Sequence, residues 1–182
     1  NDLTDWFAAA DTPAGAFRIG IAHGAVQRLL ADGIDSANPI AADRAAQARL
    51  DYLALGDWHG CRQVDARCWY SGTPETDRFR NNDSGRALIV DIDAPGAEPR
   101  VTPVGTGRYR WRSEAATLHV ASDVDALCAL LDALDGQDVL QLDIDGQTDL
   151  AGLVRLRDAI TQARGRARAV LAELNRVRIE PT

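Results

Sequence analysis

The first two-thirds of the chain consists of short apolar segments separated by Gly, Pro, Asn and Asp. Residues 17–23 and 52–55 are too short for buried helices, so they predict strands covered on both faces. Between them, the alanine-rich stretch from Asn38-Pro39 to Leu50 predicts a helix with proline at its first position. A strand, a helix and a strand in this order predict a parallel crossover, which brings both strand ends to one edge of a sheet.

Other short elements are predicted on either side of this crossover. Residues 3–10 predict a short helix with Trp6 and Phe7 packed inward. Residues 26–31 predict a second brief helix that ends at Asp32-Gly33. Three short strands are expected later in the chain, over residues 68–71, 87–92 and 100–104.

Longer amphipathic segments begin near Ser113. Residues 117–120 alternate as a half-exposed strand does, and Ser122 is expected to cap the helix that follows. One face of this helix carries the apolar residues Val124, Leu127, Cys128, Leu131 and Leu134. The pattern then predicts a strand, a helix and two closing strands, over residues 139–144, 150–163, 169–174 and 177–179. A sheet with one apolar face and helices against that face is a two-layer α+β unit.

Histidine and aspartate side chains that could bind a ligand lie at the ends of both strands of the predicted crossover. His23-Gly24 ends the first strand, and Gly56-Asp57-Trp58-His59-Gly60 ends the second. Residues two apart in an extended chain point to the same side, so Asp57 and His59 are expected to project together past the sheet. Open α/β sheets place their ligand sites at this edge.

Three motifs in this order carry a family resemblance. They are His23-Gly24, Gly56-Asp57-Trp58-His59-Gly60 and the downstream stretch Trp69-Tyr70-Ser71-Gly72-Thr73-Pro74-Glu75. The chain resembles the calcineurin-like metallophosphoesterases, in the branch of the SbcD-type DNA-repair exonucleases. The resemblance implies an α/β fold in which residues 1–113 form the C-terminal half of a calcineurin-like phosphoesterase sandwich. Residues 114–182 resemble, more loosely, the small two-layer α+β capping domain of that branch.

The resemblance also implies a site for two divalent metal ions, with His23, Asp57 and His59 among the ligands. Mn²⁺ is the expected ion, while Mg²⁺, Fe or Zn²⁺ are alternatives, because imidazole and carboxylate ligands suit several of them. The family's usual motif is Gly-His-x-His, so Asp57 stands where the first histidine is expected and adds a negative charge. The plainer alternatives are that the histidines are core residues and that Asp57 hydrogen-bonds its own turn.

Other family motifs are absent between Asn1 and Arg18, namely D-x-H, GD-x-x-D and GNH. The general acid of the family belongs to the GNH motif, so no catalytic residue is assigned. The chain is therefore expected to be the C-terminal part of a longer protein and to be inactive alone. An incomplete core would leave apolar sheet surface open, so self-association of this chain is also expected.

Composition narrows the choice of partners. The net charge of −7 and pI near 4.9 exclude a global basic field that would attract nucleic acid. Local charge is still present, because Arg108, Arg110 and Arg112 alternate with Tyr109 and Trp111 and place guanidinium groups on one strand face. This alternation is typical of an amphipathic strand with one solvent-exposed face. Contact of these arginines with DNA is the less expected alternative.

The cysteines and the hydropathy of the chain indicate its cellular compartment. Three cysteines with no C-x-x-C pair are typical neither of a disulfide framework nor of a zinc site, even though Cys61 and Cys68 lie near His59 in the sequence. No apolar run is long enough to span a bilayer and no signal-peptide layout is present, so we expect a cytoplasmic protein without a membrane partner.

The leading hypothesis is a metal-dependent phosphodiesterase, a DNA-repair exonuclease whose two-metal site this chain completes only in part. The expected partner of the intact protein is DNA, and an ATPase partner is compatible with the resemblance. One alternative is a degenerate phosphoesterase fold that acts as a binding or regulatory module, which the acidic composition and Asp57 favour. Another is a phosphoesterase for small nucleotides, since a fold alone does not determine the substrate.

Overall fold

The computed structural model describes residues 2–27, 38–79 and 82–180. These residues form a mixed α/β structure with several small sheets and three α-helices, which confirms the predicted α/β class. The chain divides into two units. Of the described residues, unit 1 comprises 2–27, 38–77 and 82–107, and unit 2 comprises 78–79 and 108–180. None of the described helices has the length and apolarity that crossing a membrane requires.

Unit 1 is built mainly of short strands. It begins with a 3₁₀ helix, Asp5–Ala9, and contains one short α-helix, α1, Arg44–Gln47. Its strands are β1 Ile19–His23, β2 Ala25–Val26, β3 Pro39–Ile40, β4 Tyr52–Gly56, β5 Arg62–Asp65, β6 Cys68–Tyr70, β7 Arg86–Asp91 and β8 Arg100–Gly105. The main sheet has the order β1-β4-β6-β5, while β2 pairs with β3 and β7 with β8.

The predicted crossover is confirmed. Strands β1 and β4 are parallel neighbours, in a register that runs from Ile19 opposite Tyr52 to His23 opposite Gly56. Strand β6 lies parallel on the other side of β4, and β5 closes the sheet as an antiparallel edge. The carboxyl ends of β1 and β4 therefore meet at one edge, where open α/β sheets bind ligands.

Strand β1 is not buried on both faces, and that part of the prediction is wrong. It is an edge strand in which Gly20 is buried and Ala22 packs against the core, while Ile19 and Ile21 are exposed. The core of unit 1 lies on one face of the sheet, against Leu53 and Leu55. A run of apolar residues does not distinguish this one-sided strand from a strand covered on both faces.

The predicted helices of unit 1 are shorter than expected. Residues 39–50 form β3 and the single turn α1, because Arg49 has a φ of 51°, a left-handed conformation that ends a helix. The helix expected over residues 3–10 is a 3₁₀ turn, and its Trp6 is exposed rather than packed inward. Residues 25–26 form β2, and the rest of the helix predicted over residues 26–31 lies almost wholly outside the described residues.

The N-terminal turn is held in place by a buried guanidinium group. Arg44 of α1 is only 4% exposed and forms ion pairs with Asp2, at 2.8 Å, and with Asp5. Asp2 also accepts a hydrogen bond from the N–H of Ala41 at 2.8 Å. A buried charge needs such partners, so α1 and the 3₁₀ helix depend on each other.

Unit 2 is a two-layer parallel unit. Its elements are β9 Arg110–Leu118, α2 Ala121–Asp132, β10 Asp138–Thr148, α3 Leu150–Arg166 and β11 Ala169–Ile179. The strand order is β11-β10-β9, and both pairings are parallel. Each predicted element is present, although the two closing strands are one long strand with a register shift opposite Asp143 and Asp145. The predicted domain boundary after residue 113 falls within β9.

Helices α2 and α3 cover one face of this sheet. Leu140, Leu142 and Ile144 alternate along β10 and belong to the same buried cluster as Leu131 of α2 and Leu156 of α3. The Asp149 carboxylate caps α3 by accepting a hydrogen bond of 2.6 Å from the N–H of Gly152. Ser122 does not cap α2 as expected, because α2 begins at Ala121 and its N-cap residue is Val120.

Candidate functional site

His23 and Asp57 lie side by side at the carboxyl edge of the main sheet. His23 ends β1 and Asp57 follows β4, and the parallel register places His23 beside Gly56. The Nε2 atom of His23 is 3.7 Å from the Oδ1 atom of Asp57, with the side chains 74% and 46% exposed. An imidazole and a carboxylate thus come together from segments more than thirty residues apart, at the edge the sequence predicted.

Gly56 makes this approach possible. A Cβ atom on Gly56 would lie 2.9 Å from the Nδ1 atom of His23, which is closer than ordinary van der Waals contact. The carbonyl oxygen of Gly56 also accepts a hydrogen bond of 3.2 Å from the N–H of Gly24. A side chain at position 56 would therefore displace the His23 ring from its place beside Asp57.

Asp57 has an unusual backbone conformation. Its φ of 104° lies in the region that favours glycine, and it is one of three described non-glycine residues with a positive φ. Such conformations cost about 1–3 kcal/mol each and cluster at functional sites. The strain turns the chain sharply at the end of β4 and accompanies the approach of the carboxylate to His23.

His59 is paired with a residue that sequence reasoning did not identify. Its Nδ1 atom lies 2.7 Å from the Oδ2 atom of Asp77, and both side chains are partly exposed. A carboxylate bound to one imidazole nitrogen orients the ring and raises the basicity of the other nitrogen, as it does for histidine ligands of metals. Through this contact, His59 would ligate an ion with Nε2. No local pattern marks Asp77, because its role comes from a contact 18 residues away.

The third motif makes contacts with both of the others. The buried hydroxyl of Tyr70 donates a hydrogen bond of 2.7 Å to the carbonyl oxygen of Gly24 and accepts one of 2.9 Å from the N–H of Val26. The N–H of Thr73 donates a hydrogen bond of 2.9 Å to the carbonyl oxygen of His59. The three motifs of the sequence therefore form one hydrogen-bonded assembly. Tyr70 could have been singled out as a buried tyrosine that requires a partner for its hydroxyl.

The turn that carries His59 is closely packed. Gly72 has a φ of 75°, and a Cβ atom there would lie 2.7 Å from the carbonyl oxygen of His59. Gly60 has no space for a side chain either, because its Cβ would overlap the carbonyl oxygen of Asn82. Trp58 is partly exposed and lies 5.5 Å from the Arg62 guanidinium group, so it flanks the site rather than filling the core.

The two nearby cysteines are protonated thiols. Burial raises the pKa of Cys68 to about 12, and it raises the pKa of Cys61 as well. Zinc binds the thiolate form, so these environments disfavour a cysteine-based zinc site.

The candidate ligands fit a metal ion only in part. His23 Nε2 and Asp57 Oδ1 are close enough for both to contact one ion through bonds of about 2 Å. Within residues 2–27, 38–79 and 82–180, no group of three or more His, Cys, Asp or Glu side chains is arranged to hold a metal. The structure thus brings His23 and Asp57 together and pairs His59 with Asp77, without joining all three predicted ligands in one such group.

No protein-family model matches the chain, and no curated protein is significantly similar to it. Any family assignment is therefore based on the three ordered motifs and on their contacts.

Proposed function

We propose that this chain supplies part of the metal centre of a metal-dependent phosphodiesterase, and that the intact protein is an SbcD-type exonuclease that hydrolyses DNA. The observation that supports this proposal best is the meeting of the three motifs. His23 and Asp57 are 3.7 Å apart at the sheet edge, and Tyr70 and Thr73 bind the segments that carry His23 and His59. Separate motifs that converge at a ligand-binding edge favour a shared site over three unrelated turns.

Each residue has a distinct role in the proposed site. His23 and Asp57 would donate Nε2 and Oδ1 to one ion, and Asp77 would hold the His59 ring so that Nε2 is the ligating atom. Divalent ions held by these residues would supply the charge that neutralises a phosphodiester and a hydroxide near neutral pH. Asp57 gives the site more negative charge than a second histidine would, which favours hard cations such as Mn²⁺ or Mg²⁺.

This chain is proposed to complete the centre only in part. Three candidate ligands do not hold two ions, and no general acid is assigned to the described residues. An incomplete ligand set binds metal weakly, so we expect weak Mn²⁺ binding and no significant hydrolysis by residues 1–182 alone.

Metal titration tests the proposed ligands. Electron paramagnetic resonance of Mn²⁺ should report weak binding to the chain, and His23→Ala and Asp57→Ala should each abolish it. His119→Ala is the matched control, because His119 is an exposed histidine in unit 2. Equal Mn²⁺ binding by His23→Ala and His119→Ala would contradict the metal role, and tight stoichiometric binding would contradict the incomplete site.

Hydrolysis tests the activity itself. In a protein that carries the complete set of family motifs, Mn²⁺-dependent cleavage of DNA or of mononucleotide diesters should be lost on His59→Ala. Unchanged activity in that variant would rule out the assignment. A panel of DNA and small nucleotides in the same assay separates an exonuclease from a phosphoesterase for small substrates.

A second candidate function is a binding or regulatory module on a degenerate phosphoesterase fold. The absence of a three-ligand group among the described residues favours it, as does Asp57 in a position where the family has histidine. The two candidates differ in the family motifs of the whole coding sequence. Intact D-x-H, GD-x-x-D and GNH motifs favour the enzyme, and eroded ones favour the module.

A further inference from the structure

Two guanidinium groups surround one tyrosine ring at the edge of unit 2. The Cζ atoms of Arg168 and Arg108 lie 5.3 Å and 5.6 Å from the centre of the Tyr109 ring. Tyr109 immediately precedes β9, and Arg168 immediately precedes β11. Since β9 and β11 both pair with β10 in parallel, residues just before each strand lie at the same end of the sheet. Cation–π contacts thus hold two positive groups together there.

An aromatic pair lies next to this cluster. Trp111 is the second residue of β9 and lies two positions after Tyr109 in the chain. The rings of Trp111 and Phe79 pack with centres 4.7 Å apart and are tilted by 60°. Both are partly exposed, on the sheet face opposite the helices. We name the five residues Phe79, Arg108, Tyr109, Trp111 and Arg168 the arginine–aromatic patch.

Arg168 differs from the neighbouring Arg110 in how its charge is paired. Arg110 forms ion pairs with Asp138 at 2.9 Å and with Asp135 at 2.8 Å, so carboxylates of the same chain neutralise its charge. Arg168 is exposed and forms neither an ion pair nor a hydrogen bond within the part of the chain that the structure describes. A guanidinium group held on an aromatic ring, with no anion beside it, is preorganised to bind an anion from outside.

We propose that the arginine–aromatic patch binds single-stranded nucleic acid. Arg108 and Arg168 would contact backbone phosphates, and the Trp111–Phe79 pair would offer an aromatic surface for a base. Aromatic rings beside arginines are the usual means of holding single strands without reading their sequence. A duplex keeps its bases stacked inside and can use only the arginines, so the combination favours a single strand. This binding needs no metal, so it can succeed or fail independently of the proposed phosphodiesterase site.

Fluorescence anisotropy tests the proposal on the full 182-residue chain in the presence of EDTA. The probes are labelled oligothymidylate of about 12 nucleotides, oligouridylate of the same length and a duplex of that length. The variants are Arg108→Gln, Arg168→Gln, Phe79→Leu and Trp111→Leu, with circular dichroism as the check of folding. Arg157→Gln is the matched control, because Arg157 is an exposed arginine on α3 without an ion pair among the described residues.

The expected results distinguish phosphate contacts from stacking. Log affinity falls as log salt rises, and the loss of each patch arginine should make this slope less steep by about 0.7. Arg157→Gln should leave the slope unchanged. Phe79→Leu and Trp111→Leu should weaken binding about tenfold at an unchanged salt slope. Both results support the proposal, and the DNA and RNA probes show which strand is preferred. Equal affinity for the duplex, or identical slopes for Arg168→Gln and Arg157→Gln, would overturn it.

Discussion

The hydroxyl group of Tyr70 donates a hydrogen bond to the carbonyl oxygen of Gly24 across 46 positions of sequence, at a distance of 2.7 Å. Both residues are buried, and burial raises the pKa of Tyr70, so the hydroxyl stays protonated and able to donate. Because Gly24 follows His23 directly, this bond determines how the chain leaves β1. The position of a candidate ligand therefore depends on a residue that would not contact the ion.

Replacing this hydroxyl should destabilise the chain and disturb the site. Tyr70→Phe leaves the Gly24 carbonyl and the Val26 N–H without a buried partner, so the free energy of unfolding should fall by about 1–3 kcal/mol. Urea denaturation measures this change, and Mn²⁺ titration should show weaker binding as His23 shifts. Tyr52→Phe is the control, because Tyr52 is also buried but its hydroxyl forms no hydrogen bond within the described residues. Equal losses in both variants would show that the Gly24 contact is not responsible.

The strain at Asp57 should separate stability from metal binding. Asp57 has a φ of 104°, which glycine adopts readily and alanine does not. Asp57→Gly should therefore unfold with a free energy about 1–2 kcal/mol higher than Asp57→Ala in urea denaturation. Both variants should lose Mn²⁺ binding, since both lack the carboxylate. Equal stability of the two variants would mean that residue 57 is not held in this conformation in solution.

The contact between Asp77 and His59 should be visible in the tautomer of the imidazole. Of the two neutral tautomers, a carboxylate 2.7 Å from Nδ1 favours the one with its proton on Nδ1, which leaves Nε2 as the basic nitrogen. Long-range proton–nitrogen NMR above pH 8 should show this tautomer for His59 and a mixed population in Asp77→Asn. In a protein with the complete site, Asp77→Asn should lower metal affinity about 10- to 100-fold. An unchanged tautomer in the variant would remove Asp77 from the proposed site.

The sequence predicted the parts of the fold that follow from periodicity and chain topology. The order of strand, helix and strand predicts that β1 and β4 are parallel and end at one edge of a sheet, and the structure shows in addition that they are direct neighbours. Helices α2 and α3 were expected because apolar residues such as Leu127 and Leu131 recur at helical spacing. The pairing of His23 with Asp57 follows from the same crossover.

Features that depend on distant contacts were not predictable in this way. The alanine-rich segment before Leu50 has high helix propensity, yet α1 is one turn long, because Arg44 is buried against Asp2 and Asp5 and Arg49 reverses the chain. Asp77 carries no signal that would join it to His59. In each case a tertiary contact outweighs the local pattern, and one sequence does not reveal such contacts.

Acid should weaken the buried ion pair at the N-terminal turn. Burial alone would raise the pKa of Asp2, but hydrogen bonds from Arg44 and Thr4 outweigh it and lower the pKa to about 2. A carboxylate with a lowered pKa in the folded state stabilises the fold above its ordinary value of 3.8, and this stabilisation is lost as the pH falls towards 2. Its size is about 2 kcal/mol.

Denaturation of Asp2→Asn at several pH values measures this contribution. The variant should be less stable than the natural chain at pH 6, and the difference should shrink between pH 4 and pH 2. Asp11→Asn is the control, because Asp11 is exposed and makes no ion pair among the described residues. A difference that stays constant down to pH 2 would mean that the Asp2 pKa is not lowered by Arg44.

The exposed face of β1 should cause self-association of this chain. Ile21 is 78% exposed, and Phe17 and Ile19 are also exposed, beside a groove of about 390 Å³ that Trp6 helps to line. Because β1 ends the main sheet, its outer backbone edge can pair with the same strand of a second copy. Ile21→Asp should shift the sedimentation profile towards monomer, since it places a charge in the apolar contact. Val154→Asp, at an exposed valine of α3, is the matched control, and an equal shift in that variant would show that another surface is responsible.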